Sequence, residues 1–355
     1  MAEAIALFAP ARAVTVLTPR LDQPNTVRRK NLRVALAQAT RSPSAVSAVK
    51  SALNDASLPP RATVDLLRSL GERAAELPEA SAALARLLGS GPDLDTRYLL
   101  LRPAAYLFGD AKAQKFVEAA ITSDASPLVR SAAAEIVGEV SKGAPRPEIA
   151  RALTKALGDE NVRVRSAAAR SLGGLGVEQA SPHLQEVLEE DAWPLVRVSA
   201  AEALGAFAPS PKLDDVLAEA LEDDDSVVVR ASAARALGSR GAARHAELLR
   251  DVLGDDDEAP EVRREAALAL GALCDQAALS LLTAQAERLA DPMLDTGPRS
   301  VASAATRALG KLRPQDLEAR LSPLLRKQSP PPARAVARSV LSEAQERPGP
   351  CRPGR

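Results

Sequence analysis

The sequence predicts an all-α chain folded as an α-solenoid, a superhelix of about ten stacked helix pairs. Three observations predict it. A frame of residues returns at a nearly fixed interval, each copy follows the helical period, and the residues bounding it start and stop helices. The clearest copy is Asp159 to Gly173. Counted from Val164, an Asp stands five places before, an Arg one after, Ala four and five after, Leu eight after and Gly nine after. The same frame fits Val129, Val196, Val229 and Val262, with Val137 in the Leu position of the first. These anchors lie 35, 32, 33 and 33 residues apart in succession. A fixed period of this size means stacked repeats, not one globular core.

Each residue type in the frame has a physical task. The acids Asp124, Asp159, Asp191, Asp224 and Asp257 precede a helix, where a carboxylate accepts from unpaired N–H groups and complements the helix dipole. Pro127, Pro194 and Pro260 fall at the helix start, where a missing N–H costs nothing. The anchor and the positions four, five and eight later form one apolar stripe, and its paired alanines let helices approach closely. The closing glycines, Gly138, Gly173, Gly205, Gly238 and Gly271, are expected to end the helix in the left-handed conformation. A second amphipathic stretch precedes each such helix, as in residues 147–157 and 211–221. One repeat therefore reads helix, turn, helix, turn.

Taken in order, residues 1–344 form one solenoid: degenerate capping repeats over 1–110, regular repeats over 111–310 and a C-terminal cap over 311–344. Residues 345–355, with their run of Pro and Gly, read as a disordered tail. In the first third, Val27 with Asp22 fits only the front of the frame, since Asn31 and Leu36 occupy its Ala and Gly positions. Weak copies follow at Arg61–Gly71 and Leu100–Gly109, the second beside Tyr98 and including Tyr106 and Phe108. After Gly271 the next anchor is Val301, with Ala302 in the Arg position; the extra length falls in Ala284–Arg299, where Asp291–Pro298 reads as a protruding loop. Ala333–Ser342 is the last copy.

The unit Asp–x4–Val–Arg–x2–Ala–Ala–x2–Leu–Gly resembles a HEAT repeat, and its short period is similar to the bacterial HEAT-like repeats of phycocyanobilin lyase subunits. The resemblance implies a stack whose second helices line a concave surface, used by scaffolds, adaptors and a few enzymes. It brings no catalytic residue that can be matched here. The paired His–Glu motifs of the HEAT-like deoxyhypusine hydroxylase are absent, because neither His183 nor His245 is followed by Glu.

Composition narrows the function further. Of 355 residues, 46% are hydrophobic but only 2% aromatic, as a stack built from Ala, Leu and Val needs. Cys274 and Cys351 are the only cysteines and imply no disulfide framework, so a reduced, cytoplasmic protein is expected. The apolar opening lacks a basic leader and is broken by Glu3, Pro10 and Arg12, which argues against a signal peptide, and no run reaches the length of a membrane span. Charge balances at 46 basic and 46 acidic residues, but unevenly. Residues 1–50 are basic through Arg28, Arg29, Lys30, Arg33 and others, residues 214–261 are acidic, and 311–355 are basic again. Such asymmetry attracts partners, while neutrality argues against nonspecific nucleic-acid binding.

The recurring Asp124, Asp159, Asp191, Asp224 and Asp257, with Arg130, Arg165, Arg197, Arg230 and Arg263, are expected to form a structural ladder between adjacent turns, not catalytic pairs. The acidic runs Asp223–Asp225 and Asp255–Glu258 lack the spacing of a calcium loop and read as helix caps. No metal, cofactor or catalytic residue is expected. Six places after each anchor the row reads Glu135, Arg170, Glu202, Arg235, Leu268, Arg307, on the outward face of the second helix. Leu268 and Arg307 break its alternation of charge, and Trp193 replaces small or polar residues on a turn edge. These three are the expected contacts for a protein partner. The expected function is a non-enzymatic scaffold or adaptor; the alternative is an accessory subunit of the bilin lyase kind, handling a linear tetrapyrrole, and then a nucleic-acid-binding protein.

Overall fold

The computed structural model describes residues 2–22, 26–141, 146–346 and 351. Among them are 21 α-helices and no strand, and the fold is an all-α solenoid. The chain resolves into two compact units, Met1–Ser171 and Leu172–Arg355. Unit 1 begins with α1 (Ala2–Phe8) and α2 (Pro10–Leu17), which pack on α3 (Thr26–Thr40). The helices that follow are α4 (Val46–Asn54), α5 (Pro60–Leu70), α6 (Pro78–Gly89), α7 (Leu94–Tyr106), α8 (Ala111–Thr122), which packs on α9 (Pro127–Val140), α10 (Pro147–Ala156), which packs on α8, and α11 (Val162–Gly174). The boundary between units falls within α11.

Unit 2 continues the pairing: α12 (Ser181–Glu190) with α13 (Pro194–Ala206), α14 (Pro211–Asp223) with α15 (Val227–Arg240), and α16 (Ala246–Gly254) with α17 (Pro260–Ala272). Two more pairs, α18 (Leu279–Glu287) with α19 (Thr296–Leu312) and α20 (Leu317–Leu325) with α21 (Pro331–Glu346), complete it. Second helices pack on one another in succession, α3 to α5 to α7 to α9 in unit 1 and α13 through α15, α17 and α19 to α21 in unit 2. The anchors Val129, Val164, Val196, Val229 and Val262 are fully buried, and the paired alanines beside them are almost so.

The helices start as their residues dictate. Pro127, Pro194 and Pro260 each open a helix. Three residues before each of the first two, Asp124 and Asp191 accept the N–H of Ser126 and Trp193 at 2.9 Å. Each carboxylate thus shapes the turn that aims the chain into its helix.

The closing glycines do a different job from the one expected. None of Gly138, Gly173, Gly205, Gly238 and Gly271 has a positive φ, and each lies within or at the end of its helix. A Cβ on Gly205 would sit 2.9 Å from the Ala236 Cβ, and one on Gly238 would sit 2.7 Å from the Ala269 Cα. Glycine is there because the next second helix lies against its backbone. The left-handed residue comes three places later, at Gly176 and Gly241, and in two copies it is not glycine at all but Cys274 (φ 58°) and Arg313 (φ 50°).

Other boundaries shift for local reasons. The loop spans Asp291–Asp295 around the exposed Met293, shorter than expected only because α19 already starts at Thr296. Val27 is no anchor: it is 68% exposed, and Ala35 and Leu36 carry the core of α3 instead. The two cysteines are joined, Cys274 to Cys351, across 77 residues with their Cα atoms 5.6 Å apart. The expectation of unpaired thiols therefore fails, and with it the ground for a reduced compartment. Cys351 thus lies beside the end of α17, a proximity that spacing in the sequence does not reveal. The rest of the expected tail, apart from Cys351 and the last turn of α21, lies outside the described residues.

Candidate interaction surface

The residues that recur most regularly are those that hold repeats together. Arg130 grips the next repeat with two hydrogen bonds to the Asp159 carboxylate, Nε to Oδ2 at 2.7 Å and Nη2 to Oδ1 at 2.9 Å. Its Nη1 closes its own turn on the Asp124 carbonyl at 2.8 Å. Arg197 does the same with Asp224 (2.7 and 2.8 Å) and the Asp191 carbonyl (2.9 Å). Arg165 closes its turn on the Asp159 carbonyl at 2.8 Å. The planar guanidinium suits this double duty, since its donors diverge at fixed angles. Burial pushes the Asp159 and Asp224 carboxyls up, but hydrogen bonds from Arg130 and Arg197 and from backbone N–H groups outweigh it and hold both below their ordinary value.

At Asp257 the pattern departs from the expectation. Asp255 shapes that turn by accepting the Asp257 N–H at 2.9 Å, so the Asp257 side chain points to solvent. The longer Glu258 takes its place and receives Arg230 through two bonds at 2.8 and 2.9 Å. Arg263 turns back to the Leu253 carbonyl and pairs with Asp256 at 2.7 Å. One rung was missed in the sequence: Arg97 reaches Asp124 at 2.8 Å and the Pro92 carbonyl at 3.1 Å. Its signal was the 27-residue separation, the same as between Arg197 and Asp224. Where Ala302 replaces the arginine, Arg299 closes the turn on the Pro292 and Leu294 carbonyls.

The outward row is exposed, and its charges pair in part. Arg170 meets Glu135 at 2.9 Å, and Arg235 lies 3.6 Å from Glu202 and 3.1 Å from Glu265. Leu268 is 36% exposed, and Arg307 is exposed with no ion pair among the described residues. Trp193, the residue before α13, is 57% exposed; Leu195 and Val228, equivalent positions of successive repeats, are exposed as well.

A feature that the sequence reading did not assemble lies on unit 1, where α3, α5, α7 and α9 form two adjoining cavities of about 190 and about 260 Å³. Tyr98 and Leu99 line both. The first holds Arg29, Arg33 and Arg61 over the buried Asp65, with Asp95 on its wall. Arg29, Arg33 and Arg68 all point at the one Asp65 carboxylate, from 3.8, 3.4 and 3.6 Å. The second cavity is lined by Arg68, Arg102, Ala132, Glu135, Ile136 and Glu139, and there Arg102 is held by Glu139 at 2.6 Å.

Residues 113–205 and 215–294 match the HEAT-repeat family. The chain carries HEAT repeats. Among solved structures, Kap121p bound to Pho4p is similar at 15% identity with a TM-score of 0.54, over 94% of this chain and 41% of that one. The likeness is one of fold, and this chain spans about two-fifths of that protein's length. The Escherichia coli protein YibA is similar at 20% identity and TM-score 0.49, over 80% of this chain and 97% of its own. The CpcE–CpcF complex of phycocyanin lyase from Nostoc is similar at 20% identity and TM-score 0.38, over 82% of this chain and 96% of that one. No curated protein matches the sequence. Within the HEAT repeats His183 is an exposed residue of α12, while His245 precedes α16 and meets Asp215 at 3.1 Å. No group of three or more His, Cys, Asp or Glu among the described residues could hold a metal ion. Nor is any described helix long and apolar enough to cross a membrane.

Proposed function

We propose that this HEAT-repeat chain is a non-enzymatic scaffold or adaptor that holds another protein on the exposed face of its second helices. One observation carries the reading. Residues facing neighbouring repeats are committed to packing and to rungs, whereas the outward row is exposed and varies from copy to copy. Exposed positions on a rigid scaffold are free to follow a ligand. The recurrent Asp and Arg engage each other and backbone carbonyls, which suits a structural role better than proton transfer. On unit 2, Arg307 supplies unpaired charge and Leu268 apolar area, with Trp193 as a separate edge contact.

Copurification followed by mass spectrometry supplies the partner. Leu268→Glu with Arg307→Glu is expected to weaken its binding at least tenfold, about 1.4 kcal/mol, without changing helicity. Glu135→Lys with Arg170→Glu swaps the signs of a paired position in unit 1 and is expected to cost less. Equal losses from both would mean general electrostatics, and no loss from either would move the binding surface off the outward row.

A further inference from the structure

We infer that the cleft on unit 1 takes the acidic side chains of an extended peptide segment of a partner protein, with an apolar neighbour of that segment seated against Tyr98, Leu99 and Ile136. The inference rests on the scaffold reading and gives one binding surface a ligand chemistry.

The charge arrangement is the first argument. Arg29, Arg33 and Arg68 share the Asp65 carboxylate at 3.4–3.8 Å, whereas the rung arginines Arg130 and Arg197 hold theirs at 2.7–2.9 Å. Asp65 Oδ2 has no hydrogen-bond partner among the described residues, so even this one acid is loosely held. Arg61 makes no ion pair among the described residues, and apart from Asp65 the first cavity has only Asp95 on its wall. A buried carboxylate beneath several guanidinium groups fixes them in place without neutralising them. Arg29, Arg33 and Arg61 line the first cavity, and forked donors of this kind match carboxylates geometrically. Burial first, and then the neighbouring Arg33, lower the Arg68 guanidinium below its usual value, while Asp65 acts the other way.

Shape argues for a peptide. The two cavities share Tyr98 and Leu99, so one ligand can occupy both. In the second, Arg102 is already engaged by Glu139, and Ala132 and Ile136 offer apolar surface. An extended chain rises about 3.3 Å per residue and alternates its side chains. It can therefore set a carboxylate among Arg29, Arg33 and Arg61 and an apolar side chain beyond Tyr98. A phosphate backbone fits less well, because Asp95, Glu135 and Glu139 line the way and Tyr98 is the one aromatic ring in the lining for bases to stack on.

The test uses the full chain and a fluorescein-labelled peptide of three Asp-Leu-Glu-Gly units, read by fluorescence anisotropy. Saturable binding is expected, weakened at least tenfold by Arg61→Glu and severalfold by Tyr98→Ala, and unchanged by Arg307→Glu. Arg61 is exposed and makes no rung, so circular dichroism should match wild type. No binding by wild type, or equal binding by Arg61→Glu, overturns the assignment. Tighter binding of a single-stranded oligonucleotide of the same charge overturns it in favour of nucleic acid. If the peptide fails while a copurified partner still depends on Leu268 and Arg307, the cleft assignment falls and the scaffold reading stands.

Discussion

Gly205 shows how a single missing atom sets the spacing of the stack. Its neighbour Ala236 lies where a Cβ would come within 2.9 Å, and both sit on helices that pack face to face. Forcing a side chain into such a contact costs about 1–3 kcal/mol. Gly205→Ala and Gly205→Asn are therefore both expected to lower the urea midpoint, Asn more than Ala because it is larger. Asn tolerates the left-handed conformation far better than Ala does, so a helix-ending role would reverse that order. A milder Asn variant would restore the original expectation. The rung carboxylates give a second residue-scale consequence. Asp124, Asp159 and Asp224 are held below their ordinary value in the folded chain. A depressed carboxyl contributes stability fully above the unfolded value, about 4, and loses it as pH falls through the folded value. The urea midpoint should thus be flat from neutral pH to about 5 and fall below about 4. In Arg197→Ala, which frees Asp224 from its partner, that acid slope should be shallower; an unchanged slope would show that the rung does not set it.

At the scale of elements, the helix pairs were legible because one repeat states the same physics several times. Asp, Pro, the apolar stripe and the paired alanines each constrain one position, and copies at a constant interval reinforce one another. The first third was harder to read because α3 and α7 bury other residues, such as Leu36 and Leu100, in place of the anchor valine. Arg97 escaped notice for the same reason, standing in a helix with no valine beside it. The cleft was invisible for a different reason. Arg29, Arg61 and Tyr98 lie on three separate helices, and their convergence depends on the rotation of each helix about its axis. Only the repeat frame reports that rotation, and unit 1 is where the frame is weakest. The outward row of the regular copies, by contrast, could be placed from the frame alone.

At the scale of the whole molecule, the Cys274–Cys351 bond changes how the C-terminal end should come apart. In a stack where each repeat touches only its neighbours, unfolding begins by fraying at an open end. The cross-link spans 77 residues and ties Cys351 to Cys274 at the end of α17. Repeats that would peel away one at a time are thereby made to open together. Closing a loop of that size disfavours the opened state by up to about 4.5 kcal/mol in the chain-entropy account. Hydrogen exchange gives the readout. With reductant, amides of α20 and α21 are expected to exchange faster while those of α13 and α15 keep their rates. If the terminal helices exchanged equally fast in both conditions, the bond would not govern fraying. On the expected outcome, the ambient thiol–disulfide balance decides whether this end of the protein melts in steps or as a block.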